Sequence, residues 1–306
     1  MKRNPLIALA VTAGIAAAAV STAGCSTTSP GAAMPSGSTT ASAPSATKSA
    51  HPAGYWAQVV LPFGQVINHL AGVTVDTAGN VYALDLYYGQ VWEMAAGATT
   101  PTLLPFTDLG QAVEAAVDPA GNFYIADDFH KRILKLAPGT TSPVVLPFTD
   151  LDRIAGVAVD AAGNVYVSDS GNNRVLQLAS GAGSPTVLPF NDIQVDGVAV
   201  DTGGNVYVTN WGGKQVLKLT PGASGPAALP FTDLKLPSRV AVDASGNVYV
   251  VDLGASRVLK LNAGASSPIV LPFKDLKSPS SVAVDARGNV YLNDGLHFRI
   301  LKLPAQ

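Results

Sequence analysis

Gly156–Ile193 reads GVAVDAAGNVYVSDSGNNRVLQLASGAGSPTVLPFNDI, and the same wording returns with small changes along most of the chain. Its Gly-Asn turn recurs at Gly79, Gly121, Gly163, Gly204, Gly246 and Gly288, spaced 42, 42, 41, 42 and 42 residues apart. A self-similarity of that period outranks any local propensity argument, because each repeat is one supersecondary unit that buries its apolar faces only against its neighbours. Every unit holds four short apolar runs separated by turn chemistry, in the third copy VAVD, NVYV, RVLQL and TVLPF, with no helical periodicity. Four strands per unit of 41 or 42 residues predict an all-β, six-bladed β-propeller, whereas leucine-rich or β-helical coils repeat at half that length or less.

Strand order follows from proline, which cannot donate to a ladder and is tolerated at sheet edges. The LPF run is therefore expected outermost and the VAVD run innermost. The sixth unit ends after RILKLPAQ without an LPF, while an unpaired VVLPF, Val59–Phe63, precedes the first. The N-terminal strand is thus expected to complete the last blade and close the ring.

The motif GVAVDAAGNVYVSDSGNNRVLQL resembles the NHL repeat, and the recurring VLPFTDL linker resembles the extracellular sensor propeller of PknD-type bacterial serine/threonine kinases. The resemblance spans about Trp56 to Leu303 and implies a sensor or ligand-binding propeller outside the membrane; no kinase domain accompanies it here. NHL-like propellers also include enzymes, among them streptogramin lyases, lactonases and amidating lyases, so the fold does not decide the function.

The N-terminus reads as an export signal over residues 1–25, with Lys2 and Arg3, an apolar run from Leu6 to Val20, and small residues up to Cys25. Thr22-Ala23-Gly24-Cys25 resembles a bacterial lipobox, which makes Cys25 the lipidation site; Thr22 stands where Leu is usual, and secretion without a lipid is the other reading. As the only cysteine, Cys25 leaves no intramolecular disulfide. Residues 26–54 are rich in Ser, Thr, Ala, Pro and Gly and are expected to act as a tether, placing the propeller at 55–306. With 19 basic against 21 acidic residues and no basic run, nothing recommends a nucleic-acid partner. The membrane is expected to be met through the lipid alone.

Residues that recur in every copy belong to its architecture. Six of nine tyrosines hold one strand position (Tyr82, Tyr124, Tyr166, Tyr207, Tyr249, Tyr291), and the LPF phenylalanines another, as packing between blades. Asp76 and its five equivalents are expected to cap turns. Asp127 with Arg132, Asp169 with Arg174, Asp252 with Arg257 and Asp294 with Arg299 read as structural pairs; the fourth copy turns both positions neutral, Asn210 and Gln215. What remains gathers in the link from second to third strand and in the link between blades, which share one rim. There the candidates for binding an envelope protein, peptide or glycan are His69, Tyr87, Tyr88, Asp128, Phe129, His130, Lys131, Trp211, His297 and Phe298. Ring closure would make blades six, one and two neighbours and draw most of these into one aromatic patch. No cofactor is required. The alternative is a lyase or hydrolase in which His130, His297 and Glu114 act with a divalent metal. It has neither a metal-ligand spacing nor a GxSxG nucleophile elbow behind it.

Overall fold

The computed structural model describes residues 54–306 except Gln65 and Asn68, so the export signal, Cys25 and nearly all of the tether lie outside the described residues. Six antiparallel four-stranded sheets form the blades of a closed ring. The innermost strands are Leu70–Val75, Ala112–Val117, Ile154–Val159, Val195–Val200, Pro237–Val242 and Pro279–Val284. Among the described residues no helix is long and apolar enough to cross a membrane.

Each hairpin turn is built by one aspartate. In the third blade Asp160 Oδ1 accepts the Asn164 N–H at 2.9 Å, while Oδ2 accepts Asn164 Nδ2 at 2.7 Å and the Tyr166 hydroxyl at 3.0 Å. Gly163 supplies the positive φ of 81° that the turn requires. The recurrent tyrosine therefore does two things, packing its ring between blades and tying its hydroxyl to the turn.

The core is divided into six interblade layers. Between blades two and three, Tyr124, Ala126 and Ile133 meet Val157, Val165, Val167 and Leu176, with Phe148 of the linker tucked among them. The outermost strand is shorter than expected. Only the two residues before LPF pair as strand, such as Thr186–Val187; Leu188 N–H adds one more bond to Val175 O, and the proline then turns Phe190 inward. Two-residue edges followed by proline offer little template for edge-to-edge association.

The ring closes as the sequence predicts. Val59–Val60 pairs antiparallel with Arg299–Leu303 in the register Val59 to Lys302. The clasp runs further than the strand, because Tyr55 bridges Ala305 and donates or accepts a hydroxyl contact at 3.5 Å with Tyr249 of blade five. Gln58 brackets Lys274 through both its backbone N–H and its carbonyl. Phe63 and Tyr55 are fully buried at this seam.

Candidate functional site

The link from second to third strand and the link between blades do share one face, for a visible reason. In every blade the residue after the second strand donates its N–H to the incoming linker: Leu86 to His69, Asp128 to Gln111, Ser170 to Arg153, Trp211 to Gln194, Leu253 to Leu236, Gly295 to Ser278. The aspartate that ends the second strand fastens the two together. Asp169, fully buried, accepts the Asp152 N–H at 2.8 Å on Oδ1, and Asn172 Nδ2 at 2.9 Å and Arg174 Nε at 2.7 Å on Oδ2. Arg174 then reaches the linker carbonyl of Asp150 at 2.9 Å. The structural reading of these pairs is right, and the buried carboxylate makes them weightier than surface ion pairs.

His130 and His297 join this same scaffold. Their Nδ1 atoms stand 2.9 Å from Asp127 Oδ2 and Asp294 Oδ2, at the place Asn172 occupies in blade three. Lys131 bonds Asp128 Oδ1 at 2.8 Å, and Asp128 in turn accepts the Ile154 N–H. Among the described residues no three His, Cys, Asp or Glu side chains are spaced to hold a metal ion.

The aromatic candidates divide into two places. On the seam side, His69 stacks on Tyr87 with ring centroids 5.2 Å apart and meets the edge of Phe298 at 5.9 Å, so blades six and one do come together. Tyr87 also stands edge-on to Tyr88 at 5.0 Å, and Phe129 edge-on to His130 at 5.0 Å. A cavity of about 360 Å³ lies between blades one and two, lined by His69, Tyr87, Tyr88, Gln111 and Phe129 and by no acid, lysine or arginine. Gly110 makes room for it, since a Cβ there would stand 2.4 Å from that of Phe129. The rings are open to solvent: Tyr87 is 71% exposed, Phe129 68%, Tyr88 56% and Phe298 46%. Phe298 also has a φ of 50°, a left-handed conformation uncommon for a bulky residue; the equivalent residues Gly89, Lys131, Asn173, Lys214 and Ser256 share that conformation.

Trp211 and Asp128 belong elsewhere, to a second cavity of about 360 Å³ over the axis between blades two and five. Through Arg239 and Asp196 it borders the cluster that sequence reasoning misplaced. Glu114, expected on the rim, lies within an inner strand, as does Asp196, at or beside the β-bulge that each blade carries near the start of that strand. A bulge re-aims side chains. Glu114 of blade two accepts Arg239 Nε of blade five at 3.1 Å across the channel, and Arg239 Nη1 bonds Asp196 Oδ1 of blade four. Ser281 Oγ of blade six stands 3.3 Å from Glu114 Oε2 and accepts the Val73 N–H of blade one. Glu114 and Arg239 are only 13% and 16% exposed, and burial pushes the Glu114 carboxyl up to about 7 although Arg239 pulls it the other way. Beneath them a channel cavity of about 170 Å³ is walled by valine and alanine. Glu114 is thus held at the axis, away from the rim position that the lyase reading gave it, while each imidazole is held by its own blade.

Arg239 and Ser281 were not singled out in the sequence, yet a signal was there. The third residue of the inner strand reads Gly72, Glu114, Gly156, Gly197, Arg239 and Ser281, two opposite charges at a position otherwise small.

The NHL repeat family model matches residues 151–178. The serine/threonine-protein kinase PknD of Mycobacterium tuberculosis is 47% identical over 57 residues, which cover 18% of this chain and 9% of the kinase. The match therefore spans a small part of that protein. Among solved structures, a streptogramin B lyase superposes with a TM-score of 0.64 at 13% identity, covering 81% of this chain and 98% of that one. A chain of the nidogen/laminin complex does so at 0.60 and 22% identity, over 74% and 85%. At these identities the structural likeness is one of fold.

Proposed function

We propose that this NHL-repeat β-propeller is an extracytoplasmic binding or sensor module, anchored through Cys25, that takes an envelope protein, peptide or glycan on the seam side of its loop rim. The observation that carries the reading is the gathering of His69, Tyr87, Tyr88, Phe129 and Phe298 from three blades into an exposed aromatic surface. No packing demand accounts for it, because the interblade layers are complete without these rings. Aromatic side chains on a rigid scaffold present large contact area at low entropic cost. The kinase resemblance supports a place outside the membrane.

A lyase or hydrolase draws support from the structural neighbours alone. The groups it would use, His130, His297 and Glu114, are engaged at three separate places. The test is cross-linking on intact cells with the parent and a variant carrying Tyr87→Ala, Tyr88→Ala, Phe129→Ala and Phe298→Ala. The parent is expected to capture a defined envelope ligand that the variant loses at an unchanged melting temperature. Identical capture by both would end the proposal.

A further inference from the structure

The cavity over the axis is a second site, independent of the aromatic seam. Its wall carries both signs of charge beside apolar surface: Arg153, Arg239 and Asp196 with Trp211, Leu236 and Leu253. Three of the charged groups keep hydrogen-bonding capacity in reserve. Arg153 is exposed, bonds Ser170 Oγ at 3.2 Å, and meets no carboxylate among the described residues. Asp196 gives Oδ1 to Arg239, and its Oδ2 accepts no hydrogen bond among the described residues. Arg239 spends Nε on Glu114 and Nη1 on Asp196, leaving Nη2 without a partner among the described residues. Trp211, half-buried, brings an indole N–H that is likewise unspent there.

A ligand of single charge fits this wall badly. An anion drawn to Arg153 would face Asp196 and Asp128, and a cation drawn to Asp196 would face Arg153 and Arg239. A small molecule carrying one carboxylate and one ammonium satisfies both sides at once, and its apolar body has Trp211, Leu236 and Leu253 to lie against. At about 360 Å³ the cavity falls in the range of small-ligand pockets. The departures from the repeat point the same way, because Glu114 and Arg239 place charge at the axis where other blades carry glycine or serine.

We infer that the axial cavity binds a small zwitterion with an apolar side chain, an amino acid or short peptide, its carboxylate on Arg153 and Arg239 Nη2 and its ammonium on Asp196. The experiment is isothermal titration of the full chain with leucyl-leucine, its N-acetyl derivative and its C-terminal amide. Saturable binding of the free dipeptide is expected, weakened about tenfold or more by either cap. Arg153→Gln should weaken the free dipeptide by a similar factor while barely changing the amide, and Trp211→Ala should weaken all three at an unchanged melting temperature. No saturable binding up to about 10 mM, or equal binding of capped and free forms, would overturn the inference. So would loss of binding in Tyr88→Ala with Phe129→Ala, which would move the site to the seam. The seam proposal survives any of the other outcomes.

Discussion

Glu114 and Arg239, three blades apart in the ring, meet across the channel axis at 3.1 Å. Burial outweighs that attraction and raises the Glu114 carboxyl from 4.5 to about 7, so between those values the folded protein holds a proton that the unfolded chain has released. Stability therefore falls as pH rises through that window, by about 1–3 kcal/mol from this group. Thermal melting at pH 5 and pH 8 is expected to show a drop in the parent that is smaller in Glu114→Gln. An equal drop in both would assign the pH dependence to other groups.

Removing the cation is a different matter. Arg239→Met strands Glu114 and Asp196 together in a largely buried space, and breaking such a cluster on one side costs about 3–5 kcal/mol. The double variant Glu114→Gln with Arg239→Met should recover part of that loss by removing one stranded charge. Denaturant unfolding of the two variants reads the difference; a double variant no better than the single would mean that packing, and not charge, holds the axis.

The protein contains its own control for the repeated ion pair. Blade four uses Asn210 where the others use aspartate, and Asn210 Oδ1 still accepts the linker N–H of Gln194 at 3.1 Å. Converting blade three to that pair, Asp169→Asn with Arg174→Gln, is expected to cost less than about 1 kcal/mol, while Arg174→Gln alone leaves a fully buried carboxylate short of its partner and costs about 2–3 kcal/mol. Chemical denaturation of the four corners of this cycle gives the coupling directly. Additive effects would show the pair to be idle.

These cases also mark how far the sequence could be read. The ring, the blade count and the clasp were legible because the repeat is regular and proline confines LPF to an edge. The seam patch was legible too, since closure brings blades six and one together and His69 does meet Phe298. The axial cluster was not. Glu114 looked like a loop residue because the bulge shifts the register between Ala112 and Glu114, and period-two reasoning fails across a bulge. His130 and His297 looked chemically available because a sequence does not show that the Nδ1 of each ring is already bonded to the aspartate three residues before it.

Phe298 offers a test of whether the seam aromatics are kept at a cost. It is half exposed, and its φ of 50° is a conformation that asparagine, found at Asn173 in blade three, adopts with less strain. Phe298→Asn is expected to stabilise the fold by about 0.5–1 kcal/mol and to weaken ligand capture. Calorimetric melting beside the cross-linking assay measures both. A destabilised variant would show that Phe298 contributes to packing after all.

The clasp makes the last blade depend on residues before the first. Deleting residues 54–63 removes Val59 and Val60 from the edge of blade six, Tyr55 from its packing against blade five, and Phe63 from the layer between blades six and one. Losing the two buried rings alone costs about 3–5 kcal/mol each, and for a domain of this size each kcal/mol moves the midpoint by about 2–4 °C. The melting temperature is therefore expected to fall by more than about 10 °C, as one transition, because an opened ring exposes an interblade layer on both sides. Melting of the truncated protein at the parent's temperature, or loss of only one blade's worth of signal, would mean that the ring holds without its N-terminal strand.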